Sequence, residues 1–416
     1  MIRILQISDI HWTKRRSWNA DFKGMKATFL KEMEDYRDSD GRIDYVFICG
    51  DISFKGAKEE YDEAQNYIKK ICDILGLEDK NVYIVPGNHD VNRKSVGAAE
   101  RELMNAALAF GPNNNSFLDD VILKDPKKRK TAFTAFKGYY EFSKNYLCHE
   151  EVMGKCLNGD EGTEISDEDN LFYHSRLDKK VGDVDVSIRG VNTALNCDGW
   201  DWNEEHQEWH KQMLPRRAYT LDMAKKQEIR IIMGHHPLEF LANKEEVEDY
   251  LNKNYHIQLF GHVHNQYVEG DNYVRVLSGA FDPPIDHKAP DKYKPVFNII
   301  EIEQNDNTHV IVRGTAQIWD TNQFVDFEEG CFEKEIEIER YTNKWKKKNM
   351  SEPDELNNRN IKFKYMRLDN RTSFFDKIAG VDFTPSPDKT EYDNCLDFAD
   401  EVERQGKLAE LNKLIS

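Results

Sequence analysis

Five short motifs in this chain carry carboxylate, amide and imidazole side chains, the groups that bind transition metal ions in proteins. Each motif follows an apolar run that is typical of a buried strand. The motifs are Asp9-Ile10-His11, Gly50-Asp51, Gly87-Asn88-His89-Asp90, Gly234-His235-His236-Pro237 and Gly261-His262-Val263-His264. Oxygen and nitrogen donors without sulfur favour Mn, Fe, Zn, Ni or Co over Mg or Ca. The set predicts two divalent transition metal ions, with manganese favoured among them.

The spacing of these side chains indicates how two ions would share them. Asp9 and His11 lie two residues apart, and side chains at that spacing share a face if the backbone stays extended. Asp51 has two carboxylate oxygens, so it can bridge two cations that would otherwise repel each other. Asn88 adds a neutral carbonyl oxygen. The remaining imidazoles complete the shells, His235 and His262 for one ion and His264 for the other.

Each motif alone has an ordinary structural interpretation. A single histidine after a strand is usually structural, a Gly-Asp pair is common in turns, and a Gly-His-x-His pair could hold one ion only. Five such motifs at successive strand ends are hard to explain by chance. The carboxyl ends of strands in an open α/β sheet converge on one crevice, so we interpret the set as one dinuclear site.

The segments between the motifs predict the elements that position them. Short β-branched runs bounded by Gly, Pro or Asn are typical of strands buried on both faces. Strands are predicted at Ile2–Ile7, Tyr45–Cys49, Val82–Val85, Val184–Val191, Ile229–Met233, Ile257–Phe260, Tyr273–Leu277, Val296–Glu303 and Val310–Thr315. Helices are predicted at Met25–Tyr36, Lys58–Leu75, Glu204–Leu214, with Asn203 as its N-cap, and Lys244–Asn252. This order predicts a mixed α/β sandwich of two sheets flanked by helices.

Two segments interrupt this order and divide the chain. Residues 98–180 are interpreted as an inserted helical cap in a main domain of residues 1–326. Within the insert, the predicted helical runs are 98–110 and 131–146, and the acidic stretch predicted to be a mobile loop is 160–170. Residues 327–416 form a C-terminal extension that ends in an amphipathic helix from Asp393 onward. That helix could pack on the core, dock a protein partner or mediate self-association.

The composition narrows the expected compartment and partners. The net charge of −18 gives no average attraction to nucleic acid, so binding would need the basic patches Lys124–Lys130 or Lys344–Lys348. The seven cysteines are scattered without a Cys-x-x-Cys pair, which argues against a disulfide framework or a thiolate zinc site. The N-terminus enters a strand at once, and no apolar run approaches the ~18 residues of a membrane span. We expect a cytoplasmic protein without a membrane segment.

The five motifs closely resemble those of the calcineurin-like metallophosphoesterase superfamily, over about residues 1–320 without the insert. The resemblance implies a four-layer αββα sandwich around a dinuclear centre. It implies that Asp51 bridges the ions, that His89 protonates the leaving oxygen or stabilises charge beside the phosphate, and that Asp90 orients His89. The implied ligands are Asp9, His11 and His264 for one ion and Asn88, His235 and His262 for the other.

Departures from the family pattern bear on the substrate. Family protein phosphatases carry an Asp-Arg pair shortly after Gly-Asp, whereas this chain has Ile52-Ser53-Phe54-Lys55, so a protein phosphatase is not expected. The Gly-Asn-His-Asp and His-His-Pro forms resemble the branch that contains cyclic-nucleotide phosphodiesterases and repair nucleases. There His236 would contact the substrate, or else support the His235 loop. Asn192 also follows a predicted strand, so it could face the site and bind the substrate, or else form a turn or a helix cap.

We therefore expect a hydrolase, a phosphodiesterase that cleaves nucleotide or nucleic-acid phosphodiesters with metal-activated hydroxide. One alternative is a DNA or RNA nuclease of repair or defence. In that case the insert or the Lys344–Lys348 patch would supply phosphate contacts, Trp345 could stack on a base, and binding would depend steeply on salt. An alternative of another class is a metal-binding scaffold or interaction module, which the complete ligand set argues against.

Overall fold

Strands and helices alternate through most of the chain, as a computed structural model shows. It describes residues 1–13, 20–39, 41–97, 131, 133–147, 171–197, 202–203, 208–209, 211–221, 228–283, 293–338, 365, 371–379, 381, 383–385 and 391–415. The strands are β1 (Ile2–Ile7), β2 (Tyr45–Cys49), β3 (Val82–Val85), β4 (Phe172–Arg176), β5 (Asp185–Val191), β6 (Trp202–Asn203), β7 (Glu208–Trp209), β8 (Glu228–Met233), β9 (Ile257–Phe260), β10 (Tyr267–Glu269), β11 (Val274–Leu277), β12 (Val296–Gln304), β13 (His309–Asp320), β14 (Gln323–Asp326) and β15 (Phe332–Glu337). The helices are α1 (Ala20–Asp38), α2 (Lys58–Leu75), α3 (Lys137–Leu147), α4 (Arg216–Tyr219), α5 (Lys244–Asn254), α6 (Glu391–Arg404) and α7 (Leu408–Ile415).

Two large sheets form the frame of the first compact unit, Met1–Arg340. The first sheet has the order β14-β13-β12-β1-β2-β3, with β15 paired to β13. The second has the order β10-β11-β9-β8-β5-β4. Strands β1, β2 and β3 run parallel in the first sheet, and β11, β9, β8 and β5 run parallel in the second. The carboxyl ends of these parallel strands carry the motifs found in the sequence.

The burial of the strands explains why their sequences are so apolar. Every residue of β2, β3, β8 and β9 is buried, as expected for strands covered on both faces. The inner faces of the two sheets meet at the Tyr83 and Tyr173 rings, which stack with centroids 6.3 Å apart. Burial alternates along β13, a pattern typical of a strand with one covered face.

Helices cover the outer faces of the two sheets. On the first sheet, the Phe29 ring of α1 packs edge-on against Phe297 of β12 at 5.0 Å. On the second, Arg275 of β11 donates a 2.7 Å hydrogen bond from Nη2 to Asn252 Oδ1 of α5. The layers are therefore helix, sheet, sheet and helix, and the predicted αββα sandwich is confirmed.

One predicted helix is wrong. Glu204–Leu214 was expected to be helical with Asn203 as its N-cap, but β6 and β7 form a short antiparallel hairpin there. Trp202 and Trp209 lie opposite each other in the register. Backbone pairing of two short extended segments therefore replaces the hydrogen-bonded turns that a helix would have here.

The described parts of residues 98–180 belong to the sandwich rather than to a separate cap. Strand β4 is the edge of the second sheet, paired antiparallel with β5. Helix α3 packs beside α2 and β3, where Tyr139 donates a 3.3 Å hydrogen bond to Ile84 O and Phe142 stacks on Tyr61 at 5.0 Å. The aromatic richness of the insert thus reflects core packing. The predicted helix 98–110, the acidic loop and both basic patches lie outside the described residues.

The boundary of the first unit lies at Arg340 rather than at residue 326. Strand β15 pairs with β13 along its whole length, so the segment predicted to open the extension completes the first sheet. The second unit, Tyr341–Ser416, has its own small apolar core, which includes Phe398, Val402 and Leu411.

The predicted terminal helix is two helices, α6 and α7. Gly406 lies between them with a φ of 70°, a left-handed conformation that ends a helix and that glycine adopts without strain. In the part of the chain that the structure describes, no helix combines the length and apolar character that crossing a membrane requires.

Candidate metal centre

The carboxyl ends of five parallel strands bring the predicted ligands together. Asp9 and His11 follow β1, Asp51 follows β2, Asn88 follows β3, His235 follows β8, and His262 and His264 follow β9. Five of these side chains are buried, and those of His262 and His264 are half-buried. Strands from both sheets contribute, so the centre lies where the two sheet edges meet.

One group of ligand atoms is formed by Asp9, His11 and His264, as predicted. Asp9 Oδ1 lies 3.2 Å from His264 Nε2 and 4.0 Å from His11 Nε2. Asp9 Oδ1 is fully buried, and no donor among the described residues makes a hydrogen bond to it. A buried carboxylate oxygen that faces two imidazole nitrogens is the environment that a divalent cation would satisfy.

The second group is formed by Asn88, His235 and His262. Asn88 Oδ1 lies 3.1 Å from His235 Nε2 and 3.1 Å from His262 Nδ1. Asp51 joins the groups, because its Oδ2 lies 3.2 Å from His11 Nε2 and 3.3 Å from His235 Nε2. The donor set fits two transition metal ions with a shared carboxylate.

The backbone at the ligands differs from the extended geometry assumed for Asp9 and His11. Their φ angles are 54° and 49°, so both residues are left-handed rather than extended. Asp51, His262 and His264 share this conformation, with φ angles of 51°, 72° and 58°. Left-handed non-glycine residues cost roughly 1 kcal/mol each and are typical of functional sites. The ligand loops thus bring the side chains together through strained turns.

Glycines in the motifs make room for the ligands. A Cβ atom on Gly87 would lie 2.2 Å from Asp51 Oδ1, and one on Gly50 would lie 2.6 Å from His235 Nδ1. Both distances are far below van der Waals contact. These two motif glycines are therefore needed for close approach of the ligand loops.

Backbone carbonyls that the sequence did not reveal orient two of the ligand imidazoles. His235 Nδ1 lies 2.8 Å from Cys49 O, and His11 Nδ1 lies 3.2 Å from Asp282 O. Because a carbonyl only accepts, each Nδ1 carries the hydrogen and each Nε2 is left for a metal ion. Ser8 adds a 2.6 Å hydrogen bond to Asp9 Oδ2.

The predicted catalytic residue His89 lies beside His11 and the shared Asp51. Its ring is half-buried, and its centroid lies 4.8 Å from that of His11. Its backbone amide donates a 2.8 Å hydrogen bond to Asp51 Oδ1. One ring nitrogen lies within 4.8 Å of ligand atoms of His11 and Asp51, so the side chain can reach a phosphate held there.

Asp90 was expected to orient His89, but its carboxylate binds the backbone instead. It accepts hydrogen bonds from the amides of Ile52 at 3.1 Å, Ser53 at 2.9 Å and Gly87 at 2.9 Å. Burial and the charge of Asp51 raise the pKa of Asp90 to about 6. Asp90 thus ties the loops after β2 and β3 together, and the His89 ring is bound by the Phe54 carbonyl.

His236 and Asn192 are both buried beside the centre. Thr193 Oγ1 accepts the amide of His236 at 2.9 Å and also lies 2.9 Å from His236 Nδ1. The His236 ring packs 4.6 Å from that of His262, as a residue that supports the ligand loop would. Asn192 Oδ1 accepts the Ala194 amide at 2.9 Å, which is the geometry of a turn. Substrate contact by either residue stays a prediction.

The charges of the centre favour cation binding. Burial opposes the charge on Asp51, but the neighbouring histidines together, His235 foremost, outweigh it and hold the pKa of Asp51 well below its usual range. Burial also raises the pKa of Asp9, but His235 and His264 together outweigh this effect and lower it. Burial lowers the pKa of His235, but the charges of Asp51 and Asp9 and the hydrogen bonds of the ring together raise it to about 9. Both carboxylates are therefore ionised at neutral pH, as metal ligands must be.

Comparison with known proteins agrees with this geometry. A family model described as calcineurin-like phosphoesterase matches residues 2–266. The uncharacterized metallophosphoesterase-like protein YydB of Bacillus subtilis is 26% identical over 338 residues, which cover 77% of this chain and 60% of that protein. The chain thus spans about 60% of the length of this curated relative.

Solved structures of vacuolar protein sorting 29 are also similar. The protein from Cryptosporidium parvum is 12% identical, with a TM-score of 0.34 and coverage of 81% of this chain and 98% of that chain. A single mutant from Entamoeba histolytica is 11% identical, with a TM-score of 0.31 and coverage of 81% and 99%. These TM-scores support no conclusion about activity. The family model covers more than half of the chain, and the protein belongs to the calcineurin-like phosphoesterase family of metal-dependent phosphoesterases.

Proposed function

We propose that this protein is a phosphodiesterase that hydrolyses nucleotide or nucleic-acid phosphodiesters at the dinuclear centre. The observation that supports the proposal best is the position of Asp51. Its Oδ2 atom lies 3.2 Å from His11 Nε2 and 3.3 Å from His235 Nε2, so one carboxylate oxygen faces both ligand groups. A shared carboxylate can hold two cations about 3.5–4 Å apart, the spacing used in two-metal phosphoester hydrolysis.

Two divalent ions, when bound, supply Lewis acidity at the phosphoryl oxygens and lower the pKa of bound water. The residues that would hold them are Asp9, His11, Asp51, Asn88, His235, His262 and His264. Manganese is the ion we propose, with Fe, Zn, Ni or Co as alternatives.

His89 would serve the leaving oxygen as a general acid. With Nδ1 bound to Phe54 O at 3.0 Å, Nε2 is the nitrogen available to the substrate. Burial lowers the pKa of His89 to about 4, which favours the neutral ring. A bound phosphate would bring negative charge to the ring and raise that pKa, so proton donation becomes possible once substrate is present.

The motif forms support a diester substrate over a phosphoprotein. Ile52-Ser53-Phe54-Lys55 replaces the Asp-Arg pair of the family protein phosphatases. The Gly-Asn-His-Asp and His-His-Pro forms resemble the phosphodiesterase and repair-nuclease branch. The nuclease alternative depends on basic segments that lie outside the described residues, so it stays a prediction. The cytoplasmic location also stays a prediction.

Hydrolysis of bis(p-nitrophenyl) phosphate and p-nitrophenyl phosphate by manganese-loaded protein tests the proposal. We expect turnover of the diester to exceed that of the monoester, and we expect a chelator or His89→Ala to abolish most of it. A preference for the monoester would indicate a small-molecule phosphatase instead. Absence of turnover with two ions bound would contradict the enzymatic proposal and favour a scaffold.

A further inference from the structure

Glu60 holds the loop that follows the bridging carboxylate. It lies in the first turn of α2, and only 7% of its surface is exposed. Its Oε2 atom accepts hydrogen bonds from the amide of Phe54 at 3.2 Å and from the amide of Lys55 at 2.9 Å. A buried carboxylate oxygen that accepts two neighbouring amides holds both in place, so Glu60 fixes the peptide group between Phe54 and Lys55.

The opposite edge of the same peptide group faces His89. Phe54 O accepts a hydrogen bond from His89 Nδ1 at 3.0 Å. A trans peptide is planar, and its C=O and N–H point in opposite directions. When Glu60 binds the Lys55 amide, the Phe54 carbonyl must therefore point away from Glu60, toward His89. The Phe54 ring also stacks on the imidazole, with centroids 5.0 Å apart and an interplanar angle of 29°.

This arrangement decides which ring nitrogen of His89 carries hydrogen. A carbonyl oxygen only accepts hydrogen bonds, so His89 Nδ1 must be the donor. The hydrogen is thereby fixed on Nδ1, and Nε2 is left as the nitrogen that can accept or donate a proton at the site. One nitrogen of the His89 ring lies within 4.8 Å of ligand atoms of His11 and Asp51.

We propose that Glu60 is a positioning residue for His89, which acts through the Phe54–Lys55 peptide to orient the ring and to keep hydrogen on Nδ1. The inference deepens the proposed function and rests on it, because His89 is the residue that serves the leaving group there. Glu60 does not touch the substrate or the ions in this role.

A purely structural role is the competing explanation. Glu60 lies three residues after Ala57, the N-cap of α2, the position from which a glutamate side chain can reach back to the N-cap amide. This is half of a capping box, which stabilises the start of a helix. Loss of a cap would lower the free energy of unfolding but would leave the His89 ring unchanged. The test therefore needs a direct measurement on that ring.

NMR of the zinc-loaded, full-length protein with ¹⁵N-labelled histidine gives this measurement. The His89 signals are identified by their absence in His89→Ala. We expect hydrogen on Nδ1 in the wild type and in Glu60→Gln, whose amide oxygen can accept the same two amides. Glu60→Ala removes the carboxylate, and Glu60→Met removes it while keeping a side chain of similar volume. In both variants we expect a shift of hydrogen from Nδ1 toward Nε2. Glu59→Ala is the matched control, since Glu59 shares the first turn but is exposed.

Turnover provides the second readout. Glu60→Ala and Glu60→Met should lose roughly 10–100-fold in kcat, with unchanged KM and unchanged metal content, and Glu60→Gln should recover most of this loss. Hydrogen that stays on Nδ1 in both Glu60→Ala and Glu60→Met would overturn the proposal. Hydrogen on Nε2 in the wild type would overturn it too. Absence of turnover in every protein, wild type included, would refute the proposed function, while the NMR result still decides the role of Glu60.

Discussion

The two halves of the metal centre share one carboxylate but differ in charge and backbone. The carboxylate half is Asp9, His11 and His264, and the amide half is Asn88, His235 and His262. All three residues of the carboxylate half are left-handed, whereas His262 alone is left-handed in the amide half. The carboxylate half also has an ionised side chain of its own. The amide half depends on the shared Asp51 for negative charge.

Because of this difference in charge, we expect the two ions to bind with unequal affinity. A unit charge about 4 Å away contributes roughly 4 kcal/mol at the effective dielectric near a protein surface. We therefore expect the ion of the carboxylate half to bind more tightly. The strained backbone of that half is sustained by loop contacts such as the 2.9 Å hydrogen bond from the His11 amide to Asp51 O.

Gly87→Ala should break both halves and have the largest effect. The new Cβ would lie 2.2 Å from Asp51 Oδ1 and 2.5 Å from the Asp51 backbone nitrogen, so the shared carboxylate must move. We expect elemental analysis to find neither ion and assays to find no turnover. Gly24→Ala is the control, because a Cβ there has open space. Two ions retained by Gly87→Ala would show that the Asp51 position is not critical.

Asp9→Ala and Asn88→Ala should each break one half. Each variant should retain one manganese ion, but the ion in Asn88→Ala should bind at least about 10-fold more tightly, because Asp9 remains in place. Titration of the metal-stripped proteins with manganese measures the two dissociation constants. Asp9→Asn keeps a side-chain oxygen ligand but removes the negative charge, so it shows how much of the affinity depends on the charge. Equal constants in the two alanine variants would contradict the asymmetry.

His89→Ala should leave both halves intact and lower turnover alone. General acid catalysis typically contributes ~10²–10⁴-fold, so we expect a loss of kcat in that range. Metal content by elemental analysis should match the wild type. Metal loss in proportion to activity loss would assign His89 a ligand role instead.

Deletion of the second unit should have the smallest effect. That unit has a separate apolar core, which includes Phe398 and Leu411. A chain that ends at Arg340 keeps β15 and should be soluble, bind both ions and turn over the diester at the wild-type rate. An insoluble product would favour the predicted packing of the terminal helices on the core over a partner-binding role.

The sequence predicted most of the strands that bury apolar residues and the candidate ion ligands that the structure brings together. The bounds of β1, β2, β3 and β9 match their apolar runs, because burial on both faces leaves few polar residues in such strands. Strand β4 was missed because its sequence Phe172–Arg176 is mostly polar or aromatic, as an edge strand allows.

Features that depend on contacts between distant segments could not be predicted. The left-handed backbone of Asp9 is stabilised by loops from other parts of the chain, including the 3.1 Å hydrogen bond from its amide to Gly50 O. The path from Glu60 through Phe54 to His89 likewise joins helix α2 to two loops. No spacing rule along one segment encodes these contacts, because each exists only after the sheets have packed.

Metal stoichiometry of the wild type and of Asp51→Ala tests the central claim most directly. Both proteins would be stripped, equilibrated with manganese, desalted and measured by elemental analysis. The shared position of Asp51 predicts two ions per wild-type chain and neither ion retained in Asp51→Ala, with folding verified by circular dichroism. Two ions retained by folded Asp51→Ala would contradict a bridged dinuclear centre.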